Sequence, residues 1–293
     1  MNSYIAIDWG STNLRAWYYH DGVCQQARRS ESGITRLNGR TPAEVFHAVT
    51  EGWPVDDLPV IMAGMVGSNA GWMNAPYLPC PVSLEDIASH LTRVEQRGWI
   101  VPGLSIHAED NVNVMRGEET QLLGAARLLP ASCYVMPGTH CKWVSEAQRQ
   151  IVSFRTLMTG ELHHLLLNHA LIGTGLPEQV ADADAFRQGL ETGVHDRSIL
   201  RRLFEVRAAH VLGVRPRESV SEFLSGLLIG HEVALMAETF VEEKTAPLTL
   251  IAGPALAERY LQAMALCGLP AQRLDSDRAF QHGIRSIANE LDY

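Results

Sequence analysis

The chain has only five cysteines, at positions 24, 80, 133, 141 and 267, scattered and without C-x-x-C spacing. An odd, dispersed set argues against a disulfide framework and against a zinc site, and predicts a reducing, cytoplasmic compartment. No unbroken apolar run reaches about 18 residues, so no membrane span is expected. The chain enters a strand at Tyr4, which leaves no room for a signal peptide. Positive charge is scarce: 24 Lys and Arg stand against 33 Asp and Glu, a net charge of −9. General affinity for nucleic acid is therefore not expected, and any handling of anions must rest on a few cations placed locally. Low-complexity and linker-like stretches are missing as well. The length allows two domains, which must then pack tightly side by side with a cleft between them rather than hang on a tether.

A further absence is the G-x-x-x-x-G-K-[ST] loop. In its place the chain opens on Tyr4-Ile5-Ala6-Ile7-Asp8-Trp9-Gly10-Ser11-Thr12-Asn13-Leu14-Arg15-Ala16-Trp17. This reads as an apolar strand, a small polar turn and a second strand. Glycine lets the backbone approach a ligand closely. The turn N–H groups and two hydroxyls can donate to phosphate oxygens, and the acid closing the first strand can hold Mg²⁺, usually through water. The other reading of the same residues is a plain β-hairpin.

The rest of the chain supplies context. Asp21-Gly22 is a two-residue turn leading to a third strand over Val23 to Ser30. Thr41, Pro42 and Glu44 form a helix start with a capping box. A buried strand over Leu58 to Val66 ends in Ala63-Gly64-Met65-Val66-Gly67-Ser68-Asn69, and a helix follows over Gly117 to Leu129. Then the opening pattern returns as Cys133-Tyr134-Val135-Met136-Pro137-Gly138-Thr139-His140-Cys141-Lys142-Trp143-Val144. Setting Gly138 on Gly10 places Thr139 on Ser11, roughly 130 residues apart, a pattern of structural duplication. The second copy has Met136 where the first has Asp8, so only the first offers a carboxylate to a metal. The remainder reads as mostly helical: one stretch over Asp182 to His210, a long helix opened by a Ser219–Glu222 capping box, and a late strand-Gly-helix point at Gly253. Asp277 is expected to cap the last helix.

Two glycine-hydroxyl hairpins and a late strand-Gly-helix point resemble the actin-like ATPase and sugar-kinase fold. The fold class expected is α/β, with two ribonuclease H-like domains, over residues 1–116 and 117–293, around an interdomain cleft. A narrower resemblance rests on Ala6 to Arg15, Ala63 to Ser68, Val114 to Gln121, Met136 to Trp143, Met158 to Leu162 and Phe223 to Leu227. Together, in this order, these strings are similar to the 2-dehydro-3-deoxygalactonokinase family. Trp72 to Tyr77 departs from the pattern, with Asn74 where an acid is expected.

The resemblance implies ATP-dependent phosphorylation of the 6-hydroxyl of 2-dehydro-3-deoxy-D-galactonate in galactonate breakdown, with ATP and Mg²⁺ as cofactors. The alternatives are a kinase for another keto-deoxy sugar acid or a hexose, and a non-catalytic actin-like ATP-binding protein. An N-terminal helix-turn-helix would mark a repressor of this fold, and the hairpin at residue 4 leaves no place for one. The partners expected are a sugar acid and ATP, without nucleic acid or membrane. Nothing sets the oligomeric state, a homodimer being one option.

By the resemblance, Gly10, Ser11, Thr12, Gly138 and Thr139 contact phosphates, Gly253 makes room for adenosine, and Asp8 is the metal-side carboxylate. Related carbohydrate kinases carry their base in a Gly-Asp element at the place of Gly117-Glu118. Glu118 is thus the candidate general base, with Asp8 in both roles or Glu119 as alternatives. A 2-keto acid needs a cationic fork for its carboxylate. Arg15 and Arg116 are candidates for the substrate, Lys142 for ATP, and Gly64 and Ser68 for the sugar pocket. The run Glu161 to His169 reads as a helix with satisfied histidines rather than a metal box, because His164 and His169 are split around the helix.

Overall fold

The structure is a computed structural model and describes residues 3–94, 98–196, 198–242 and 245–291. In chain order the strands and helices are β1 (Tyr4–Trp9), β2 (Leu14–His20), β3 (Val23–Ser30), α1 (Pro42–Val49), β4 (Val60–Gly64), β5 (Tyr77–Pro79), β6 (Val82–Ser83), α2 (Leu84–Ser89), β7 (Thr92–Val94), β8 (Gly98–Ile100), β9 (Gly103–Ala108), β10 (Asn111–Met115) and α3 (Glu118–Leu128). They continue as β11 (Cys133–Met136), β12 (Cys141–Ala147), β13 (Gln150–Leu157), α4 (Thr159–Asn168), α5 (Ala183–His195), α6 (Ile199–Val211), α7 (Val220–Thr239), β14 (Leu248–Ile251), α8 (Pro254–Leu266), β15 (Ala271–Leu274) and α9 (Ser276–Glu290). Two compact units emerge, and neither is one stretch of chain. One holds residues 1–130, 145–154 and 276–293, the other 131–144 and 155–275.

The first unit is built on a sheet in the order β3-β2-β1-β4-β8-β7. Strand β1 is central, antiparallel to β2 and parallel to β4. Its residues are buried along nearly the whole strand instead of alternating, as a strand covered on both faces requires. Asp21 and Gly22 take φ of +48° and +76°, the left-handed pair of a tight hairpin turn. Helix α1 has the expected cap: Thr41 Oγ1 accepts from Glu44 N, and the Glu44 carboxylate accepts from Thr41 N. Ile5, Ile7, Trp9, Leu14, Met62 and Ile100 are among the residues filling the core. Helix α9 returns from the C-terminus to cross α3 so closely that a Cβ on Gly124 would stand 1.9 Å from Ala279 O, and one on Gly283 1.9 Å from Thr120 O. That crossing fixes the start of α9 within this unit. A small sheet, β10-β9-β5, had no counterpart in the sequence reading.

The second unit repeats the plan, with β15-β14-β11-β12 in order and β11 parallel to β14. Its core includes Val135, Trp143, Leu190, Val233, Leu250 and Tyr260. Helices α5 and α7 meet through backbone: a Cβ on Gly189 would lie 2.1 Å from Phe223 O, and one on Gly226 2.1 Å from Phe186 O. By length and composition the helix over Arg217–Thr239 could cross a membrane, but 72% of its apolar window is buried in the protein, the mark of a core helix. The helical stretch expected over Asp182 to His210 holds two helices, α5 and α6, and the Asp196 carboxylate, which accepts from Ser198 N, turns the chain between them. Ser219 does not close a capping box. Its hydroxyl donates to Asp182 Oδ2 at 2.6 Å and is no longer available to α7.

Candidate active site

In the first unit, the turn between β1 and β2 is held by its carbonyls. Gly10 O accepts from Ile34 N at 3.0 Å, Ser11 O from Thr35 N at 2.9 Å, and Thr12 O from Gly33 N at 3.2 Å. Thr35 Oγ1 adds a second donor to Ser11 O at 2.7 Å. A trans peptide is planar, and the N–H on one side of it points opposite to the C=O on the other. With three successive carbonyls turned toward 33–35, the N–H groups of Ser11, Thr12 and Asn13 point the other way. Such a row of amides is a site for an anion. Gly33 makes it: a Cβ there would lie 2.3 Å from Ser11 O. The sequence reading passed over this glycine, because the approach comes from a segment 22 residues downstream in the chain.

Gly33→Ala should therefore push residues 33–35 off the turn and scatter its amides. With nucleotide phosphate on this turn, as the resemblance implies, the loss of one or two charge-assisted hydrogen bonds corresponds to about 10- to 100-fold weaker nucleotide binding. Calorimetric titration with a non-hydrolysable ATP analogue measures it.

Asp8 stands at the end of β1, and its Oδ2 accepts from Arg15 Nε at 3.2 Å and from Arg15 Nη2. Arg15 also donates to Asp277 in the first turn of α9, and Asp277 accepts from Arg29 at 3.2 Å. Asp277 is thus not the expected cap of α9; its carboxylate is committed to two arginines. Burial pushes the Asp8 carboxyl above the usual carboxylate range, while Arg15 works in the opposite direction. The turn and this ion cluster line a cavity of about 540 Å³, with Asp8, Ser11, Thr12, Arg15 and Arg29 in its wall.

Gly64 lies next to Asp8, since β1 and β4 pair Asp8 with Ala63 and Trp9 with Gly64. Its φ is +96°, and a Cβ would stand 2.8 Å from Trp9 O and 3.6 Å from Asp8 Oδ1. Gly117, at φ +110°, comes from the other side, its absent Cβ falling 3.3 Å from Gly64 Cα. These two glycines bring the start of α3, and with it Glu118, up to the strand end that carries Asp8. Glu118 is half-buried and accepts from Arg116 N at 3.1 Å. Glu119 is fully enclosed, its Oε2 accepting from Gly117 N at 2.7 Å. An enclosed carboxyl cannot meet a substrate hydroxyl, so Glu119 holds the turn that presents Glu118.

Burial, reinforced by the Glu118 charge, pushes Glu119 up to about 8. Its folded value lies above the ordinary 4.5, so its contribution is full below that value and is lost as pH rises toward about 8. Glu119→Gln removes this dependence. Between pH 5 and 8 the variant's melting temperature should decline less than that of the parent, by an amount equivalent to a few kcal/mol at about 1.4 kcal/mol per pH unit. Thermal melts across that range check it.

Arg116 is 9% exposed. Its Nη2 donates to Ala75 O at 2.7 Å, Nε lies 3.3 Å from Tyr77 Oη, and the guanidinium stacks 4.2 Å from the Tyr77 ring centroid. Nη1 is buried and, among the described residues, has no hydrogen-bond partner. Ser68 donates its hydroxyl to Met65 O at 2.7 Å, closing the short turn after β4.

The second unit has its own turn, between β11 and β12. Gly138 O lies 3.4 Å from Cys141 Sγ, and Thr139 O accepts from Glu161 N at 3.0 Å. By the same planarity the N–H groups of Thr139 and His140 point away from those partners. Gly160 at the start of α4 is the counterpart of Gly33, since a Cβ there would lie 2.4 Å from Gly138 O. His140 and Glu161 pair at 2.6 Å. Lys142 is buried and donates to Thr156 Oγ1 at 2.9 Å. Gly253 precedes α8 in extended conformation, and the place where its Cβ would be opens on space, as room for a ligand requires. His163 Nε2 bonds Ser221 O at 3.1 Å, and His164 Nδ1 meets Asn168.

The comparisons with known proteins agree with one another. A family model described as 2-keto-3-deoxy-galactonokinase matches residues 8–287. A curated 2-dehydro-3-deoxygalactonokinase from Escherichia coli (strain K12) is 59% identical over 98% of both chains. A crystal structure of a putative 2-dehydro-3-deoxygalactonokinase from Sinorhizobium meliloti is 32% identical, covers 98% of this chain and 99% of its own, and superposes with a TM-score of 0.86. More distantly, component A of the (R)-2-hydroxyglutaryl-CoA dehydratase of Acidaminococcus fermentans shares the fold at 13% identity, full coverage of both chains and a TM-score of 0.59.

Proposed function

The chain belongs to the 2-keto-3-deoxy-galactonokinase family, and from that premise we propose how its residues divide the work of an ATP-dependent kinase that phosphorylates a keto-deoxy sugar acid in galactonate catabolism. The fold is that of the actin-like ATPases and sugar kinases. Phosphoryl transfer asks a protein mainly for positioning and charge neutralisation. The N–H groups of Ser11, Thr12 and Asn13 bind phosphate oxygens in the first unit, and those of Thr139 and His140 do so in the second. Gly253 leaves space for the adenosine.

Asp8 fits Mg²⁺, being a carboxylate in the wall of the cavity that Ser11 and Thr12 also line, oxygen donors of the kind a hard cation takes. When bound, the cation would neutralise phosphate charge. Glu118 accepts the proton of the attacking 6-hydroxyl, and Glu119 and Gly117 hold it in place. Arg116 immediately precedes the Gly117-Glu118 turn and is the cation assigned to the substrate carboxylate, with Tyr77 and Ala75 fixing the guanidinium plane. Arg15, held between Asp8 and Asp277, lines the same cavity as the Ser11–Asn13 turn and supplies positive charge there, as does Arg29. Five free cysteines fit a reducing cytoplasm.

The observation that carries the reading is the meeting of Asp8 and the Gly117-Glu118 turn across Gly64, next to a row of outward amides. A coupled assay of ADP release with 2-keto-3-deoxy sugar acids, aldonates and hexoses tests it. Turnover confined to keto-deoxy acids is expected; turnover with hexoses alone would overturn the substrate assignment.

A further inference from the structure

Glu232 lies in the middle of α7 and is 1% exposed. Its Oε1 accepts from Trp143 Nε1 at 2.8 Å. Its Oε2 accepts from Tyr260 Oη at 2.8 Å and from Thr159 Oγ1. Tyr260 Oη in turn lies 3.0 Å from Cys141 Sγ, which is 3.4 Å from Gly138 O. The single S–H proton of Cys141 therefore serves one or the other oxygen.

Each donor belongs to an element at the phosphate turn. Trp143 is in β12, three residues beyond the end of the turn. Thr159 is the first residue of α4, whose Gly160 and Glu161 back the turn from behind. Tyr260 is in α8, the helix that follows Gly253. A packed apolar residue of similar volume would fill this place without the desolvation a buried carboxyl carries. What such a residue cannot do is hold three donors in fixed directions at once.

We propose that Glu232 is the positioning residue of the 138–140 turn: it locks the start of α4, β12 and α8 together so that the amides of Thr139 and His140 stay aimed at nucleotide phosphate. This rests on the reading that the turn binds nucleotide. It adds a residue that touches no ligand, 93 positions downstream of Thr139 in the sequence, and that the motifs of the chain do not mark.

The test compares Glu232→Gln, Thr159→Val and Thr159→Ser with the parent enzyme. Michaelis constants are measured separately for ATP and for the sugar acid, together with calorimetric affinity for a non-hydrolysable ATP analogue. Glu232→Gln and Thr159→Val should raise the ATP constants about tenfold and leave the sugar-acid constant within about twofold. Thr159→Ser, which keeps the hydroxyl, should restore ATP affinity. Unchanged ATP affinity in both losing variants would overturn the proposal. So would ATP and sugar-acid constants worsening together alongside a lower melting temperature, since that is general weakening of the fold. If Glu232→Gln does not fold, the Thr159 pair decides alone. A parent enzyme that binds no nucleotide would instead remove the functional reading itself.

Discussion

Glu118→Gln should lower kcat by about 10²- to 10⁴-fold, the usual contribution of a positioned general base, while nucleotide affinity stays within about threefold of the parent. The structural reason for the split is that Glu118 sits on the α3 turn beside Gly64, whereas the amides proposed to face phosphate belong to the Ser11–Asn13 turn, held by residues 33–35. Glutamine keeps the acceptor for Arg116 N and so keeps the turn. It cannot take a proton. A kcat near that of the parent would transfer the role to Asp8, because Glu119 is walled in.

Asp8→Asn should cost more, on the order of 10³-fold or greater in kcat, since the carboxylate proposed to face the cation is lost along with one of the two acids holding Arg15. Stability should not follow activity down. Burial raises the Asp8 carboxyl above its ordinary value, so ionised Asp8 is a burden on the fold that grows as pH rises past that value. A neutral amide of the same shape removes the burden, and Arg15 keeps Asp277. Kinetics paired with thermal melts at pH 7 separate the two effects. Lost turnover with an equal or higher melting temperature is expected; lost turnover with a collapsed melting temperature would make Asp8 a structural residue.

Much of this was legible in the residues, and the exceptions have a common cause. Local signals served well. The Gly-Ser-Thr and Gly-Thr turns, the Asp21-Gly22 hairpin and the Thr41–Glu44 capping box depend on neighbours a few positions apart. The duplication was legible because both copies keep the order of hairpin and third strand. Relations across long separations were not. Gly33 and Gly160 carry no turn signature, and their role arises from the backbone they approach. Asp277 looks like a helix cap until α9 crosses α3 and delivers it to Arg15, 262 residues away. Ser219 has capping-box spacing, yet Asp182 competes for its hydroxyl and wins. Strand β5 and the β9–β10 hairpin are short, and their pairing is set by register within a sheet rather than by local pattern.

A crystal structure with Mg²⁺, a non-hydrolysable ATP analogue and the sugar acid bears most directly on the central claim, that trans-peptide geometry turns two backed loops into phosphate sites. The account predicts phosphate oxygens within hydrogen-bond distance of the N–H groups of Ser11, Thr12 and Asn13 and of Thr139 and His140. Phosphates bound to other parts of the chain, with those amides left to water, would contradict it.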